Sequence, residues 1–215
     1  MKKTVLITIA AALLLGVPAG AKSKTLESFI GKVSYSLVSF DYSFSMQSVK
    51  SKAKMTGSGS VKVLGNAFRM EGDGMEVWCD GSTRWTVDRL SEEALVESVD
   101  DSYDSYATNP ALMITAVDEA FNEESFGASK FQGKVVDASV LTPVRKGKYS
   151  MDIAQLKLFF RSGTSELVGA EVKLNDGSVS EFTISGMEYS EANEKESFRF
   201  NEKTLGDSYV VTDLR

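Results

Sequence analysis

The apolar positions after residue 21 follow first the period of a helix and then the period of a strand. The helical stretch places apolar residues three and four positions apart, at Leu26, Phe29, Ile30, Val33 and Leu37. It predicts an amphipathic helix with Thr25 as its N-cap. From Val38 to Met46 every second residue is apolar, which predicts a strand with one buried and one solvated face.

Short alternating segments separated by turn residues continue this strand pattern. They are Val61–Val63, Phe68–Met70, Met75–Cys79, Thr83–Val87 and Leu95–Val99, then Lys134–Leu141, Leu156–Arg161, Leu167–Leu174 and Val179–Ser185, with Phe198 and Phe200 alternating near the end. The turns between them are predicted at Gly57-Ser58-Gly59, Gly72-Asp73-Gly74, Asp80-Gly81 and Asn175-Asp176-Gly177. The succession predicts an antiparallel meander.

One helical segment separates the two blocks of strands. It follows a polar loop at Asp100–Thr108 and begins at Asn109-Pro110, since proline is favoured at the first helical position. Its apolar stripe is Leu112, Met113, Ala116, Val117, Ala120 and Phe121. Asp118-Glu119 and Glu123-Glu124 are predicted to form its solvated end.

The first 21 residues predict a secretory signal peptide. Lys2 and Lys3 precede an apolar stretch from Thr4 to Val17, Pro18 ends it, and Ala19-Gly20-Ala21 offers a cleavage site. The apolar stretch is shorter than the roughly 20 residues that a membrane span needs, although a short membrane anchor is the alternative. Residues 22–215 are then expected to form a single domain in the periplasm of a bacterium.

Charge and residue types exclude several classes of function. Acidic residues outnumber basic ones by 30 to 24, and an acidic chain repels phosphate backbones, so no nucleic-acid partner is expected. The chain has no histidine, which excludes Ser-His-Asp triads and histidine zinc sites, and its single cysteine, Cys79, predicts a buried inert thiol. The acidic loop of Asp100, Asp101 and Asp104 lacks the ligand spacing of an EF-hand. We therefore expect no catalytic residues, no metal and no cofactor.

The apolar residues include twelve Phe and eight Met, a generous number for an acidic chain. Several lie on the one-sided strands, among them Phe44, Met46, Phe68, Met70, Met75 and Phe182. Methionine adapts to irregular space and to varied ligands. These residues fit the wall of an apolar cavity, and they equally fit the filled core of a sandwich.

Short motifs along the chain carry a resemblance to a known family. In order they are Gly57-Ser58-Gly59, Phe68-Arg69-Met70, Val77 with Asp80-Gly81 and Trp85, Asn109-Pro110-Ala111-Leu112-Met113-Ile114, Leu141-Thr142-Pro143 and Phe198-Arg199-Phe200. This order resembles the LolA-type and LolA-like periplasmic carriers of outer-membrane lipoproteins, over nearly all of the chain after residue 21. The resemblance implies an α+β fold: a strongly curved antiparallel sheet, or unclosed β-barrel, with an N-terminal helix and lid helices on its concave face.

One feature of those carriers is missing from the motifs. Carriers of this kind hold the lid with an arginine between the second and third strands. The corresponding segment here, Val63-Leu64-Gly65-Asn66-Ala67, has no arginine, and Arg69 is offset along the next strand.

The resemblance implies a carrier that binds acyl chains of lipoproteins or lipids in an apolar cavity and shuttles them between membranes as a monomer. Its partners would be the acylated cargo, an inner-membrane donor complex and an outer-membrane acceptor. The candidate cavity wall is Phe44, Met46, Val61, Val63, Phe68, Met70, Met75, Val77 and Trp85, and the candidate lid is Leu112, Met113, Val117 and Phe121.

Two other functions stay open from the sequence. One is a periplasmic sensor or regulatory domain of the same fold, which binds a membrane-protein segment or a lipid signal. The other is a glycan-binding or hydrolytic β-protein, in which an aromatic residue such as Trp78 stacks on sugar.

Overall fold

The computed structural model describes residues 21–50, 52–99, 110–115, 117–144, 153–191 and 197–215, without the side chain of Leu112. The predicted signal peptide, apart from Ala21, lies outside the described residues. So do Ala116 and the predicted acidic loop at Asp100–Thr108.

The N-terminal helix, α1, comprises Lys24–Tyr35 and buries Leu26, Phe29 and Val33. The expected N-cap at Thr25 is wrong. Ser23 holds that position with extended backbone angles, and its side chain accepts a hydrogen bond from the Leu26 N–H at 3.2 Å. Leu37 belongs to the following strand, because the helix ends at Tyr35.

Twelve strands form one sheet. Their bounds are β1 Leu37–Gln47, β2 Lys54–Leu64, β3 Ala67–Gly72, β4 Met75–Cys79, β5 Thr83–Asp88, β6 Glu93–Ser98, β7 Phe121–Phe131, β8 Lys134–Pro143, β9 Ile153–Arg161, β10 Leu167–Leu174, β11 Val179–Ser190 and β12 Val210–Asp213. Their order is β12-β6-β5-β4-β3-β2-β1-β11-β10-β9-β8-β7. Neighbours pair antiparallel except β12 and β6, which pair parallel. The two ends of the sheet do not join, and the expected α+β fold with an open, mostly antiparallel sheet is confirmed.

The glycines at residues 57 and 59 lie inside β2, so the turn predicted at Gly57-Ser58-Gly59 is wrong. A Cβ atom on Gly59 would lie 2.1 Å from the carbonyl oxygen of Glu71, and one on Gly72 would lie 2.1 Å from that of Ser58. Glycine is therefore required because β2 and β3 approach closely here, as at the bends of curved sheets.

The middle of the chain differs most from the prediction. The single expected helix is two short ones, α2 at Pro110–Thr115 and α3 at Val117–Ala120. Phe121 then begins β7, which also contains Glu123-Glu124 and pairs with β8 from Phe121 opposite Pro143 to Phe131 opposite Lys134. The middle of β7 is exposed, so it lacks the apolar alternation by which strands are recognised.

The C-terminal segment also departs from the strand pattern. Phe198 and Phe200 are buried but lie outside any strand, whereas the exposed residues Val210–Asp213 form β12 at the edge of the sheet. Glu202–Thr204 form one turn of 3-10 helix between them.

The main core lies between the helices and one face of the sheet, here called the inner face. Apolar residues of α1, α2 and α3 pack there with residues of β1–β4 and β8–β11. The opposite, outer face carries two small clusters: Trp85, Val87, Ala94, Val96 and Phe200 in one, and Phe131, Val136, Ala138 and Phe159 in the other. None of the described helices is long and apolar enough to cross a membrane.

Candidate functional site

Eight of the nine predicted wall residues lie on the inner face. Residues directly opposite one another in an antiparallel pair point to the same side of a sheet. Val38 on β1 lies opposite Val63 on β2, which in turn lies opposite Phe68 on β3. The next row contains Phe40, Val61, Met70 and Val77. Phe44, Met46 and Met75 follow on the same face by the two-residue period of their strands.

Trp85 does not belong to this wall, and that prediction is wrong. It lies opposite Trp78, whereas Cys79 lies opposite Arg84, so the inner face continues on β5 with Arg84 and the outer face with Trp85. The Trp85 ring is buried under the C-terminal segment, and its indole N–H donates to Glu202 Oε1 at 2.9 Å. It helps to fix that segment to the sheet.

Two of the predicted lid residues lie in the described helices and pack on this wall. Met113 on α2 and Val117 on α3 are buried in the same cluster as Val61, Val63 and Phe68. Phe121 is buried in this cluster too, but on β7 rather than on a helix. Leu112 lies outside the described side chains. Ala120, which the predicted stripe included, is buried in this cluster as well, whereas the stripe missed two further members, Ala111 and Ile114.

The start of α1 is tied to α3 and β7 by polar contacts. Lys22 pairs with Asp118, and the Ser23 hydroxyl donates to Glu123 Oε1 at 2.9 Å. The Ser23 N–H donates to the same Glu123 carboxylate, which thereby lies at the positive end of the α1 helix dipole. Farther along α1, the Phe29 and Phe160 rings meet edge to face, 5.5 Å apart.

Arg69 takes no part in holding the helices. Its guanidinium lies 4.0 Å from the ring centroid of Trp78, its cross-strand neighbour on the outer face. The helices are therefore held to the sheet mainly by apolar packing, and the arginine latch expected of the carriers has no counterpart at Arg69.

The apolar inner face continues past the helices. Along β1, Val38 and Phe40 are buried, whereas Tyr42 and Phe44, which follow on the same face, are partly exposed. Beside them Met46 is also partly exposed, and its partner on β2, Met55, is 54% exposed. Met75 on β4 is 44% exposed. We call this set the open apolar end: Tyr42, Phe44, Met46, Met55, Met75 and Val77.

Aromatic rings pack against one another in the open apolar end and beside it. The ring of Phe44 stacks on Phe182 at 5.7 Å and on Tyr42 at 6.4 Å between centroids. It lies over Gly57, where a Cβ atom would come within 2.5 Å of its edge. Burial, and secondarily the nearby Asp73 carboxylate, raise the pKa of Tyr42, so its hydroxyl stays neutral.

The apolar surface has a polar boundary on β5 and β6. There the inner face carries Arg84 and Glu97, which lie opposite one another and pair at 2.7 Å. An apolar ligand on the inner face would therefore lie on the β4 side of this ion pair.

Among the residues that the structure describes, no three acidic, cysteine or histidine side chains are grouped to hold a metal ion. Cys79 is buried on β4, and burial raises the pKa of its thiol, which accepts a hydrogen bond from the Gly81 N–H at 3.4 Å. A thiol in this state is a poor nucleophile.

Comparisons with known proteins concern the fold alone. No protein-family model matches the chain. A search of curated proteins also finds no match. Among solved structures, an uncharacterized conserved protein from Thermus thermophilus matches with a TM-score of 0.51 and 11% identity, over 88% of this chain and 97% of that one.

Two other solved structures match with lower TM-scores. A LolA superfamily protein from Nitrosomonas europaea matches with a TM-score of 0.43 and 12% identity, over 80% of this chain and 97% of that one. The complex of MucA and MucB from Pseudomonas aeruginosa matches with a TM-score of 0.36 and 12% identity, over 83% of this chain and 62% of that one. The match to the Thermus thermophilus protein shows a shared fold, and the open, mostly antiparallel sheet with few helices agrees with the fold that the sequence motifs predicted.

Proposed function

We propose that this protein is a periplasmic carrier that binds acyl chains of lipoproteins or lipids against the inner face of its sheet. Residues 1–21 would direct its export, and residues 22–215 would form the carrier domain. The observation that supports this most is the open apolar end. It continues the same apolar face that the helices cover, so a hydrocarbon chain could enter there and extend under the helices.

The energetics favour reversible binding of this kind. Burial of an acyl chain contributes about 0.8 kcal/mol for each CH₂ group. The helices α2 and α3 have six and four residues, too few to be stable without their packing on the sheet. An acyl chain that replaces this packing could displace the helices. Reversible loading then requires that the closed and loaded arrangements lie within a few kcal/mol of one another.

The proposed cargo needs a source and a destination. Transfer between membranes implies an inner-membrane donor complex and an outer-membrane acceptor, with the carrier acting as a monomer between them. The excess of acidic residues supports release, because anionic bilayer surfaces repel an acidic protein.

Charged substitutions at the open apolar end test the proposal without disturbing the buried core. Met55→Glu and Met75→Glu place a carboxylate on the proposed entry surface. We expect each to weaken binding of a neutral fluorescent acyl glycerol about tenfold, because the ligand must pass or cover the charge. Val210→Glu and Val211→Glu on β12, with exposures of 63% and 45% against 54% and 44% for the methionines, are matched controls that should bind normally.

Equal binding by all four variants would contradict the entry surface. A wild-type protein that takes up neither the acyl glycerol nor a fluorescent fatty acid would contradict the carrier function itself. The regulatory domain that binds a membrane-protein segment would then become the better hypothesis.

A further inference from the structure

Three lysines lie close together on the hairpin between β1 and β2, at one end of the sheet. Lys50 and Lys52 lie in the loop itself, Lys54 begins β2, and all three are exposed. Acidic residues outnumber basic ones in the whole chain by 30 to 24, so the charge of this hairpin is opposite to that of the chain. We call this part of the hairpin, with its two exposed apolar residues, the basic tip: Val49, Lys50, Lys52, Lys54 and Met55.

Little negative charge compensates the lysines of the basic tip. The Lys50 Nζ atom lies 3.8 Å from Asp176 Oδ2, and 80% of the Lys50 side chain stays exposed. Within the part of the chain that the structure describes, no carboxylate lies at ion-pair distance from Lys52 or Lys54. Lys173 on β10 is also exposed and lies in the same row of the sheet as Lys54, with β1 and β11 between them. This end of the sheet therefore carries a net positive charge.

The two apolar side chains of the basic tip are exposed beside these lysines. Val49 is 56% exposed and Met55 is 54% exposed. Val49 lies over the turn between β10 and β11, where a Cβ atom on Gly177 would be 3.5 Å from its Cγ2 atom. Met55 pairs with Met46, so the basic tip adjoins the open apolar end.

Hydrogen bonds fix the loop of the basic tip to its surroundings. The side-chain amide of Gln47 donates to the carbonyl oxygens of Lys52 and Ala53, at 3.3 and 3.4 Å. The Val49 N–H donates to the hydroxyl oxygen of the buried Ser178 at 3.3 Å, which holds the loop against the neighbouring turn. A partner that binds here does not have to order the loop first, and this favours binding.

We infer that the basic tip binds the surface of an anionic phospholipid bilayer. Its lysines pair with the lipid phosphate groups, and Val49 and Met55 enter the boundary between headgroups and acyl chains. Lysines mixed with exposed apolar side chains are typical of protein surfaces that bind membranes. Repulsion between the bilayer and the rest of this acidic chain restricts the contact to this end. The inference goes beyond the proposed carrier function and does not depend on it, although in a carrier the contact would bring the open apolar end to the membrane.

The test measures binding of the protein, purified from the periplasm of a bacterium that exports it, to lipid vesicles. We expect the wild type to bind vesicles of phosphatidylglycerol and phosphatidylethanolamine at least about tenfold more tightly than vesicles of phosphatidylcholine, and to bind more weakly as salt is added. The double variant Lys52→Gln, Lys54→Gln should bind the anionic vesicles roughly 25-fold more weakly, because each lysine near the surface contributes about fivefold. It should take up a neutral acyl glycerol in solution as the wild type does.

A matched control lies on the hairpin between β7 and β8, at the opposite end of the sheet. Lys130 and Lys134 are exposed there beside the exposed Val135. The double variant Lys130→Gln, Lys134→Gln makes the same change of charge and should bind anionic vesicles as the wild type does. Val49→Ser keeps the charge and should weaken binding about fivefold, because less apolar surface enters the bilayer. Urea unfolding checks that the variants are as stable as the wild type.

The outcomes separate this inference from the proposed function. A wild type that does not bind anionic vesicles would overturn the inference, even if it binds an acidic peptide, which would indicate a protein partner instead. An equal loss of binding in both double variants would overturn it too, since total charge rather than the basic tip would be responsible. Unchanged binding by Val49→Ser would overturn the entry of apolar side chains into the bilayer. Binding to vesicles by a protein that takes up no acyl glycerol would overturn the carrier function and support this inference.

Discussion

At the scale of single residues, the Asp80 side chain fixes the turn between β4 and β5. Its Oδ1 atom accepts hydrogen bonds from the N–H groups of Ser82 and Thr83, at 2.9 and 2.8 Å, and from the Ser82 hydroxyl at 2.8 Å. Partial burial alone would raise the pKa of Asp80, but the hydrogen bonds from Thr83 and Ser82 hold it below its ordinary value of 3.8. Ionised Asp80 therefore stabilises the folded state.

The sign of the pH dependence follows from this lowered pKa. Stability from Asp80 is present above pH 3.8 and is lost as the pH falls through the lower pKa of the folded state. We expect Asp80→Ala to lower the free energy of unfolding by about 1–2 kcal/mol at pH 7, and this difference from the wild type to shrink between about pH 5 and pH 2. Urea unfolding at a series of pH values measures it.

Asp80→Asn is the matched control for this experiment. Its amide oxygen can accept the same hydrogen bonds but does not titrate, so its difference from Asp80→Ala should not vary with pH. A difference between wild type and Asp80→Ala that stays constant down to pH 2 would contradict the role of the charge.

The turn between β4 and β5 shows which structural features of single residues can be predicted from the sequence and which cannot. The turn at Asp80-Gly81 can be recognised from the sequence, because glycine readily adopts the positive φ that such turns require. In the structure Gly81 has a φ of 91°. The face of Trp85 could not be predicted, because it depends on which residues become opposite across the turn. Cys79 pairs with Arg84, and a shift of one residue would have placed Trp85 on the inner face.

At the scale of elements, the proposed function requires the helices to be a removable cover on the sheet. Met113 on α2 is buried against the inner face, whereas Leu156 on β9 is part of the sheet beneath. Truncation of either residue should destabilise the folded protein by about 2–5 kcal/mol, because each leaves a cavity in the same core.

The two truncations should have opposite effects on cargo binding. Met113→Ala weakens only the closed arrangement, so we expect the apparent affinity for an acyl glycerol to rise several-fold, up to about tenfold. Leu156→Ala removes a contact that is present with and without cargo, so its affinity should stay the same or fall. Fluorescence titration, together with urea unfolding of each variant, distinguishes them. Weaker binding by both variants would contradict a cover of α2 that cargo displaces.

Element boundaries were predictable where one face of a strand is buried. The alternation from Val38 to Met46 lies within β1 at Leu37–Gln47, and the bounds of β10 agree fully with the prediction. The strand β7 was not predictable, because its edge position leaves both of its faces largely exposed. Phe121, the first residue of β7, also continues the helical spacing of the apolar residues before it, and the sequence pattern therefore placed it on the helix.

At the scale of the whole molecule, the buried apolar side chains lie mainly on the central strands, and the two outermost strands of the sheet bury few of them. The apolar inner face lies on the central strands, the ion pair of Arg84 and Glu97 bounds it on one side, and β7 ends the sheet on the other. The open, mostly antiparallel sheet was predictable from the order of motifs, although one motif, Gly57-Ser58-Gly59, lies where two strands approach closely rather than in a turn. The open apolar end was not predictable, because alternation alone does not tell which part of an apolar face the helices cover.

Native mass spectrometry would show directly whether the inner face of the sheet binds an acyl ligand. The protein would be purified from the periplasm of a bacterium that exports it, and the ions would be compared before and after solvent extraction. We expect one acyl-bearing molecule, a lipid or a lipid-modified protein, to be bound per chain in the wild type and much less in Met55→Glu. A wild-type protein that is purified with no bound lipid, and that takes up no acyl glycerol when offered it, would contradict the carrier function.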